Sequence, residues 1–403
     1  MRAEVVTSES AFLALRDDWN RLAAGDPLAT WEWRHAWWDV WRKHRQLAIG
    51  VVYEGERVLA LLPAFTEFRP WSGRTLALLG NGKACTDYQR VLLDPDLADD
   101  ERRAAIELLF DELLRADGAV PKIDLFELDG ADVTEPSVAT IVDLLKQRRF
   151  VVDHEPLESS WITDLGETWD DFVAATPRQL RRKIHKAMRR AESPDVTFHE
   201  AGDPETVAAI WSEFVRLHQA RFRERTDDGG CFADSRFEQF LRDAAIELAA
   251  KQQAKIVWCE HLGRAISAHL YLLGRRTVAM YQSGFDPDYQ HLEPGYLLYS
   301  LALRSLIEAG YAHFDFLRGD ETYKAGWAAR SVPLTRLVCV APRATSRIRH
   351  RSRCWARSLK RAAVRAWESR HGTGDATPSK QTSTNTDGVE VAREHDTTET
   401  VNA

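Results

Sequence analysis

The order of predicted helices and strands after residue 195 constrains the fold of this chain more than any other feature. Apolar residues in alternation predict strands, apolar residues at helical spacing predict helices, and glycine or proline marks the turns between them. The order is strand, two helices, three strands, helix, strand and strand, at 196–200, 204–222, 234–251, 254–261, 264–273, 275–285, 295–309, 313–317 and 334–341. Three consecutive strands with tight turns pair antiparallel, so the order predicts a mostly antiparallel sheet covered by helices.

A similar alternation occupies the first part of the chain. Helical patterns at 10–24 and 30–44 precede two strand patterns, 47–53 and 57–65, with a turn signal between them. Further strands and two helices follow up to about residue 165. The length of 403 residues suffices for two domains. We therefore predict an α/β protein of two similar lobes with mixed, mostly antiparallel sheets, 1–165 and 166–342.

Composition limits the class of protein. With 44% hydrophobic and 29% charged residues, the chain is predicted to be a soluble globular protein. Its apolar runs are shorter than the roughly 20 residues of a membrane-spanning helix, and its N-terminal segment lacks the apolar core of a signal peptide. We expect a cytoplasmic protein. Because the five cysteines are scattered and the histidines are single, we expect neither a disulfide framework nor a metal site.

The net charge of −7 is the sum of three unlike segments. Residues 1–342 carry −12, residues 343–371 carry +9 and residues 372–403 carry −4. The last segment has ten Ser or Thr and no aromatic residue, so we predict that it is disordered. We predict that 343–371 is a basic helix. Trp355 and Trp367 on its apolar stripe favour a peripheral contact with an anionic membrane; a solvated helix docked on the acidic body is the alternative.

A second basic helix is predicted at 177–192, where seven Lys or Arg lie between residues 178 and 190. On an acidic body, such a helix favours an anionic partner: coenzyme phosphates, a nucleotide-linked sugar, a transfer RNA or lipid headgroups. We select Arg181, Arg182 and Lys186 as candidate substrate-binding residues. A plain solvated helix is the alternative interpretation.

The stretch with the most functional information runs from the strand at 278–283 through the loop at 286–294 to a helix that begins at Gly295. A helix N-terminus presents unpaired backbone N–H groups and the positive end of the helix dipole, which suits a pyrophosphate. The candidate cofactor-binding residues are Tyr281, Gln282, Ser283, Gln290, Gly295 and Tyr296. The alternative is that Pro294 and Gly295 merely start a helix tightly.

This loop and the order of elements resemble the GNAT superfamily of N-acyltransferases, in which the loop and helix bind the pyrophosphate of acyl-coenzyme A. Gln290 matches the start of the usual Arg/Gln-x-x-Gly-x-Gly/Ala signature, but Glu293 and Pro294 interrupt its glycine pattern. This variant, and the aromatic-Lys-x-x-aromatic motif of residues 323–327, look more like the CelD-like acetyltransferases and the Fem family of peptidyl transferases. Both branches repeat the fold twice in one chain, as the two lobes suggest here.

The resemblance implies roles for residues around that motif. Acyl transfer needs a base for the amine proton, donors for the developing oxyanion and an acid for the leaving thiolate. Tyr323 would be the acid and Lys324 would hold an oxyanion or phosphate. Asp315, Asp320 and Glu321 are the candidate carboxylates for base work or for holding a substrate amine. Packing residues and a solvated turn are the alternative interpretation.

In the first lobe, Asp87 and Tyr88 are candidate substrate-binding residues, because they end a polar loop where related proteins carry a similar signal. We expect them to face the cleft between the lobes, and a turn cap is the alternative. Five tryptophans between residues 31 and 41 follow helical spacing and predict buried core rather than a carbohydrate platform.

Together these features and the resemblance predict an N-acyltransferase that uses acyl-CoA, in particular acetyl-CoA, as co-substrate and needs no metal. Its acceptor would be an amine or hydroxyl of a small molecule or glycan precursor, and the resemblance alone implies a role in exopolysaccharide, cellulose or cell-envelope synthesis. One alternative is a Fem-like peptidyl transferase that uses aminoacyl-tRNA, the single case in which we expect nucleic acid. The other is a non-catalytic subunit of a polysaccharide synthase, consistent with the interrupted glycine signature.

Overall fold

The computed structural model of the chain describes residues 1–115, 117–223, 230–319 and 321–371. Residues 1–351 form a unit that contains both lobes. A second unit begins at Ser352 and, over its described residues, consists of the continuation of the last helix. The segment 372–403, which the composition predicts to be disordered, lies outside the described residues.

Helices and strands follow one another largely as the periodicity predicts. The helices are α1 (Glu9–Ala14), α2 (Arg16–Ala23), α3 (Trp31–Trp41), α4 (Asp99–Leu113), α5 (Pro136–Gln147), α6 (Trp169–Ala175), α7 (Arg178–Ala191), α8 (Pro204–Arg223), α9 (Ser235–Ala249), α10 (Pro294–Glu308), α11 (Thr322–Gly326) and α12 (Ala344–His371). The strands are β1 (Arg2–Val6), β2 (Arg45–Leu47), β3 (Ile49–Glu54), β4 (Arg57–Leu62), β5 (Ala64–Arg69), β6 (Gly73–Leu78), β7 (Leu92–Leu93), β8 (Leu125–Ala131), β9 (Val151–Pro156), β10 (Ser160–Asp164), β11 (Val196–Ala201), β12 (Ala254–His261), β13 (Arg264–Leu273), β14 (Thr277–Phe285), β15 (His313–Asp315), β16 (Arg330–Val332) and β17 (Thr335–Val340).

Within the described residues, these strands form three sheets. The first lobe has a four-stranded sheet in the order β1-β3-β4-β7 and a six-stranded sheet in the order β2-β5-β6-β8-β17-β9. The second lobe has a seven-stranded sheet in the order β11-β12-β13-β14-β15-β10-β16. The pairs β6–β8 and β14–β15 are parallel and the other pairs are antiparallel. The predicted α/β class with mixed, mostly antiparallel sheets is confirmed.

Two strands near the predicted lobe boundaries lie in the sheet of the opposite lobe. β10, which we predicted to close the first lobe, lies in the second-lobe sheet, with Ile162 opposite both Asp315 and Arg330. β17, which we predicted as the last strand of the second lobe, lies between β8 and β9 in the first lobe. Pro333 separates β16 from β17, and because proline donates no backbone hydrogen bond, it favours a break in pairing where the chain changes sheets. Sheet membership therefore departs from the predicted boundaries at 165 and 342.

The two lobes share a hydrophobic core, in which α3 of the first lobe packs against α9 of the second. The ring centroid of Trp33 lies 4.8 Å from that of Phe240 and 4.9 Å from that of Tyr281. The five tryptophans of α3 are at most 8% exposed, which confirms the prediction that they belong to the core. Aromatic burial across the junction stabilises one arrangement of the lobes and so positions their loops against each other.

Two helices carry the basic segments of the chain. α7 buries Leu180, Ile184 and Ala187, packs against α10 and exposes much of its basic face. α12 follows β17 and carries most of the basic residues of segment 343–371. In the part of the chain that the structure describes, every helix is too short or too polar to cross a lipid bilayer.

Candidate functional site

Strands β14 and β15 separate in the middle of the second-lobe sheet. They pair only from Thr277 to Ala279, and β14 then continues to Phe285 with no partner strand on that side among the described residues. The register between β13 and β14 shifts at this point and leaves Tyr281 as an extra residue, a β-bulge. The open edge therefore offers backbone N–H and C=O groups to an extended ligand.

Helix α10 follows β14 after a 3₁₀ turn, Pro287–Leu292, to which the exposed Gln290 belongs. The Leu297 N–H is bonded to the Glu293 carbonyl and Pro294 has no N–H, so the N–H groups of Gly295 and Tyr296 are unpaired within the described residues. Apart from chain neighbours and the backbone of α10 itself, no atom lies within 4 Å of the place where a Cβ would stand on Gly295. The helix thus begins with two free donors and the positive end of its dipole, and with space beside Gly295.

Basic side chains of α7 surround this N-terminus. Lys183 Nζ donates a hydrogen bond to the Tyr296 hydroxyl at 2.7 Å. Lys186 Nζ lies 2.6 Å from a carboxylate oxygen of Glu293, and Arg190 forms a second ion pair with the same oxygen at 3.6 Å. The hydrogen bond from Lys186 lowers the pKa of Glu293, so this carboxylate is charged and balances part of the cluster. Three cations and one carboxylate therefore lie around the first turn of α10, and one of the cations, Arg190, also donates to the Leu292 carbonyl.

The three bases predicted to bind substrate have different surroundings. Lys186 belongs to the cluster at α10. Arg182 is exposed on α7. Arg181 donates to three backbone carbonyl oxygens at the end of α6 and therefore caps that helix. Of these three, the structure brings Lys186 to the helix N-terminus.

The side chains of the predicted cofactor strand are bonded to other parts of the protein. Gln282 Oε1 lies 3.0 Å from Nε2 of His218 on α8, and burial lowers the pKa of His218 to about 4, so the imidazole is neutral at pH 7. Ser283 Oγ accepts from Arg221 of α8 at 2.5 Å. The Tyr281 hydroxyl donates to the Ala84 carbonyl of the first lobe at 2.6 Å. What β14 offers a ligand is therefore its backbone edge.

Asp315 and Tyr88, predicted in different lobes, meet in the protein interior. The Tyr88 hydroxyl donates to Asp315 at 2.6 Å, and Ser160 Oγ and the Leu317 N–H each donate at 2.7 Å. Burial raises the pKa of Asp315 to about 6, although these hydrogen bonds act in the opposite direction. Burial, together with the Asp315 charge, also raises the pKa of Tyr88. The pair can accept a proton near neutral pH.

Asp87 lies beside this pair and is bonded to Arg318. The backbone N–H and Nε of Arg318 each donate to Asp87 at 2.8 Å, and its guanidinium also lies 3.5 Å from Asp129. Asp87 is 2% exposed, and burial raises its pKa despite the guanidinium. Because its oxygens bind Arg318, Asp87 fixes the loop after β15 to the first lobe rather than facing open space.

Lys324 of the aromatic-Lys-x-x-aromatic motif is buried in α11. Its ammonium lies 3.1–3.2 Å from the carbonyl oxygens of Leu317, Arg318 and Gly319 and 2.8 Å from the Glu321 carboxylate. These four acceptors use all three ammonium hydrogens. Lys324 therefore holds loop 317–319, where we had predicted a contact with an oxyanion or phosphate.

The aromatic residues of the motif differ in exposure. Trp327 is 1% exposed and packs with its ring centroid 5.0 Å from that of Tyr299. Tyr323 is only partly buried, and its hydroxyl lies 3.4 Å from the Tyr299 hydroxyl. Asp320 lies outside the described residues. Tyr323, which alone in the motif carries a hydroxyl group, therefore has a side chain that is partly exposed.

A cavity of about 230 Å³ opens beside Tyr88. Its lining residues are Asp26, Tyr88, Gln89, Arg90, Asp132 and Glu135. Gln89 is 1% exposed, and neither atom of its amide has a hydrogen-bond partner among the described residues. Arg90 pairs with Asp26 at 2.8 Å. The carboxylates of Asp132 and Glu135 therefore give the cavity lining a net negative charge. A buried amide without partners costs free energy, which a ligand that completes its hydrogen bonds would remove.

Residues 178–325, which contain the β14 edge, the start of α10 and Lys324, match the family model described as "Acetyltransferase (GNAT) domain". Over this segment the chain is similar to GNAT acetyltransferases. Solved structures extend the likeness beyond this domain. FemX matches with a TM-score of 0.54 and 12% identity, over 84% of this chain and 97% of FemX.

Two further solved structures give similar values. A conserved protein of unknown function from Bacteroides thetaiotaomicron has a TM-score of 0.52 and 12% identity, over 83% of this chain and 99% of its own. The C-terminal domain of a putative lysylphosphatidylglycerol synthetase from Agrobacterium fabrum has a TM-score of 0.51 and 11% identity, over 85% and 95%. At such identities the likeness establishes the fold alone, a GNAT-type domain within a two-lobe body like that of FemX. No curated protein matches the sequence.

Sequence reasoning missed four polar residues of this region: Ser160, Arg221, Arg318 and Gln89. Two of them could have been selected from their neighbours in the sequence, since Gln89 follows Tyr88 and Arg318 closely follows β15. Ser160 gave no signal, because it reaches Asp315 only after β10 joins the second-lobe sheet.

Proposed function

We propose that this protein transfers an acyl group, preferably acetyl, from coenzyme A to an amine acceptor. The observation that carries the proposal is the open edge of β14, which leads along the chain to the N-terminus of α10. Coenzyme A has an extended pantetheine arm with two amides, followed by a pyrophosphate. The open edge suits the amides, and the two free N–H groups with the α7 bases suit the pyrophosphate.

Particular residues would hold this co-substrate. The N–H groups of Gly295 and Tyr296 would bind the pyrophosphate, and Lys186 would exchange the Glu293 carboxylate for a phosphate oxygen. The backbone of residues 280–285 would bond the pantetheine amides. The interrupted glycine signature is compatible with this arrangement because the space at Gly295 is open.

The acceptor would lie in the cavity beside Tyr88. Its carboxylates favour a positively charged group over an anion, and the Gln89 amide matches a hydroxyl or an amide. An amino sugar or another amine with neighbouring hydroxyls has this chemistry, which agrees with a glycan-precursor acceptor. The exopolysaccharide context and the CelD-like assignment rest on the sequence resemblance.

Tyr88 and Asp315 would serve as the base of the reaction. Asp315, through the Tyr88 hydroxyl, would take one proton from the acceptor ammonium, which frees the nitrogen lone pair to bond to the acyl carbon, and would then release that proton to solvent. Tyr323 would give a proton to the thiolate released when the carbon–sulfur bond breaks, and the second proton that the nitrogen loses on bonding would replace it through solvent. Lys324 and Asp87 would keep loop 317–319 in place through Arg318 and the loop carbonyls.

A pair of variants at Gly295 tests the co-substrate site. Gly295→Asp places a carboxylate where the pyrophosphate would bind, yet an acidic residue in the first turn stabilises a helix, so the variant folds. We expect it to weaken acetyl-CoA binding by at least about tenfold in calorimetry, the equivalent of about 1.4 kcal/mol. Gly295→Ala adds a methyl group in open space and should bind like the wild type. Equal acetyl-CoA binding by both variants and the wild type would refute this site.

A second candidate is aminoacyl transfer from a charged tRNA. The fold shared with FemX and the exposed Arg182 among the α7 bases favour it. Thermal unfolding with acetyl-CoA and, separately, with charged tRNA distinguishes the two donors. We expect stabilisation by acetyl-CoA. Stabilisation by charged tRNA alone would favour the second candidate, and stabilisation by neither would favour a non-catalytic subunit.

A further inference from the structure

We propose that helix α12 docks the protein on an anionic lipid surface through an apolar stripe formed by Ile348, Trp355 and Leu359. These side chains are 64%, 69% and 49% exposed. Trp355 lies about two helical turns after Ile348, and Leu359 lies about three turns after Ile348. The three residues therefore lie on one face of the helix. A row of large exposed apolar side chains marks an interaction surface. The inference is independent of the proposed acyl transfer.

The first turns of α12 attach to the first lobe through polar groups. Ser346 Oγ donates to Asp124 at 2.6 Å, and Arg343 and Arg349 pair with the same carboxylate at 3.2 and 3.1 Å. A surface helix ordinarily buries its apolar face and exposes its polar face. In the first turns of α12 the arrangement is reversed, because the polar side chain of Ser346 is buried and the apolar side chain of Ile348 is exposed. The exposed side of these first turns of α12 therefore needs a partner from outside the lobe.

The charge of the segment indicates which partner fits. Residues 343–371 carry ten Lys or Arg and one acid, Glu368. By helical spacing, Arg347 and Arg351 lie along one side of the stripe and Arg349 along the other. Basic side chains beside an apolar stripe can bond to lipid phosphates while the stripe enters the interface. Tryptophan is favoured at the headgroup level of a bilayer.

The other candidate partners do not fit both the basic residues and the apolar stripe. A second copy that joined through the same segment would bring two charges of +9 together, which is unfavourable. A nucleic acid would pair with the bases and leave the apolar stripe in water. The segment 372–403 has a net charge of −4 and no aromatic residue, so it could neutralise bases without covering the stripe. An anionic bilayer takes up both the bases and the apolar side chains.

Sedimentation of the full chain with lipid vesicles tests the proposal. We expect vesicles with phosphatidylglycerol to bind at least about tenfold more tightly than pure phosphatidylcholine vesicles, and salt to weaken the binding. The variant I348S/W355S/L359S should lose at least about tenfold in affinity. Trp71→Ser is a matched control, because Trp71 is 80% exposed elsewhere in the chain, and it should bind like the wild type. All four side chains are exposed, so both variants should keep the wild-type unfolding temperature.

Several outcomes would overturn the proposal. One is equal vesicle binding by the triple variant and the wild type. Another is loss of binding after removal of residues 372–403, which would assign the contact to that segment, whereas retained binding supports the stripe. A change from dimer to monomer in the triple variant without vesicles would assign the stripe to self-association. Binding of single-stranded RNA in preference to vesicles, unchanged in the triple variant, would assign the basic face to nucleic acid.

Discussion

Asp315 sets a pH dependence for the proposed reaction. Its pKa of about 6 means that the carboxylate is ionised at neutral pH and protonated below about pH 5, where it can no longer accept a proton through Tyr88. We expect kcat to fall as the pH drops through 6, approaching about tenfold per pH unit. Asp315→Asn should remove this acidic limb and most of the activity. A wild-type rate that stays constant between about pH 5 and 8 would contradict the assignment.

The same ionisation acts on stability in the opposite direction. The pKa of Asp315 is about 6 in the folded protein, whereas its ordinary value, which applies to the unfolded chain, is 3.8. Between these two pH values the folded protein therefore binds more protons than the unfolded chain. Its contribution to the free energy of unfolding therefore decreases as the pH rises through this window, by up to about 3 kcal/mol. The carboxylate is kept ready for proton transfer at a cost in stability.

Gln89 offers a test of the acceptor cavity that does not depend on the co-substrate. Gln89→Leu keeps the size of the side chain and removes a buried amide that has no partner among the described residues. We expect the free energy of unfolding in urea to rise by about 1–2 kcal/mol. The KM for the amine acceptor should rise at least about tenfold, with the KM for acetyl-CoA unchanged. A loss of stability instead would mean that the amide is bonded within the protein.

Lys324 marks the limit of a motif as a guide to a residue's role. The motif drew attention to a segment that does lie beside Asp315 and Tyr88 along the loop. Three of the four acceptors of its ammonium are backbone oxygens, which every residue carries. Side-chain patterns therefore held no information about this partnership, and the fold of loop 317–319 decides it.

At the scale of elements, local periodicity predicted α7 to α10 and β11 to β14 nearly at their observed bounds. Those patterns depend on neighbours along the chain, which the sequence displays directly. Pairing depends on which sheet edge is open. β10 fills the gap between β15 and β16, and β17 that between β8 and β9. Alternating apolar residues suit either sheet, so the exchange could not be predicted from periodicity.

The open edge of β14 shows how one element shapes the site. β15 has three residues and β14 has nine, so their pairing must end early. The bulge at Tyr281 adds local twist at the same level. The short strand pattern was visible in the sequence, but the bulge was not, because it arises from the register between β13 and β14. This geometry, rather than any single side chain, supports the proposed pantetheine site.

At the scale of the whole molecule, the candidate site exists only because distant segments meet. Tyr88 and Asp315 are 227 positions apart, and Asp87 and Arg318 are 231 apart. The sequence analysis selected three of these four residues, from a polar loop and a motif, but it could not show which would touch. The shared core at Trp33 and the two exchanged strands create these contacts. The two lobes should consequently unfold together.

This coupling leads to a prediction about fragments. A fragment of residues 166–342, the second lobe as the sequence predicts it, lacks β10 and carries β17 without β8 and β9. Loss of β10 leaves the edges of β15 and β16 unpaired, and loss of α3 exposes Phe240. We expect no cooperative thermal transition in circular dichroism.

A fragment of residues 159–332 is the matched control, because it restores β10 and omits β17. It has a complete second-lobe sheet but still lacks the first-lobe side of the shared core. We therefore expect slower amide exchange in its β-strands than in fragment 166–342, although less protection than in the full chain. If fragment 166–342 unfolds cooperatively with a native-like spectrum, the placement of β10 and β17 in the sheets of the opposite lobes does not couple the two lobes. In that case the boundary at 165 would separate two independently stable units.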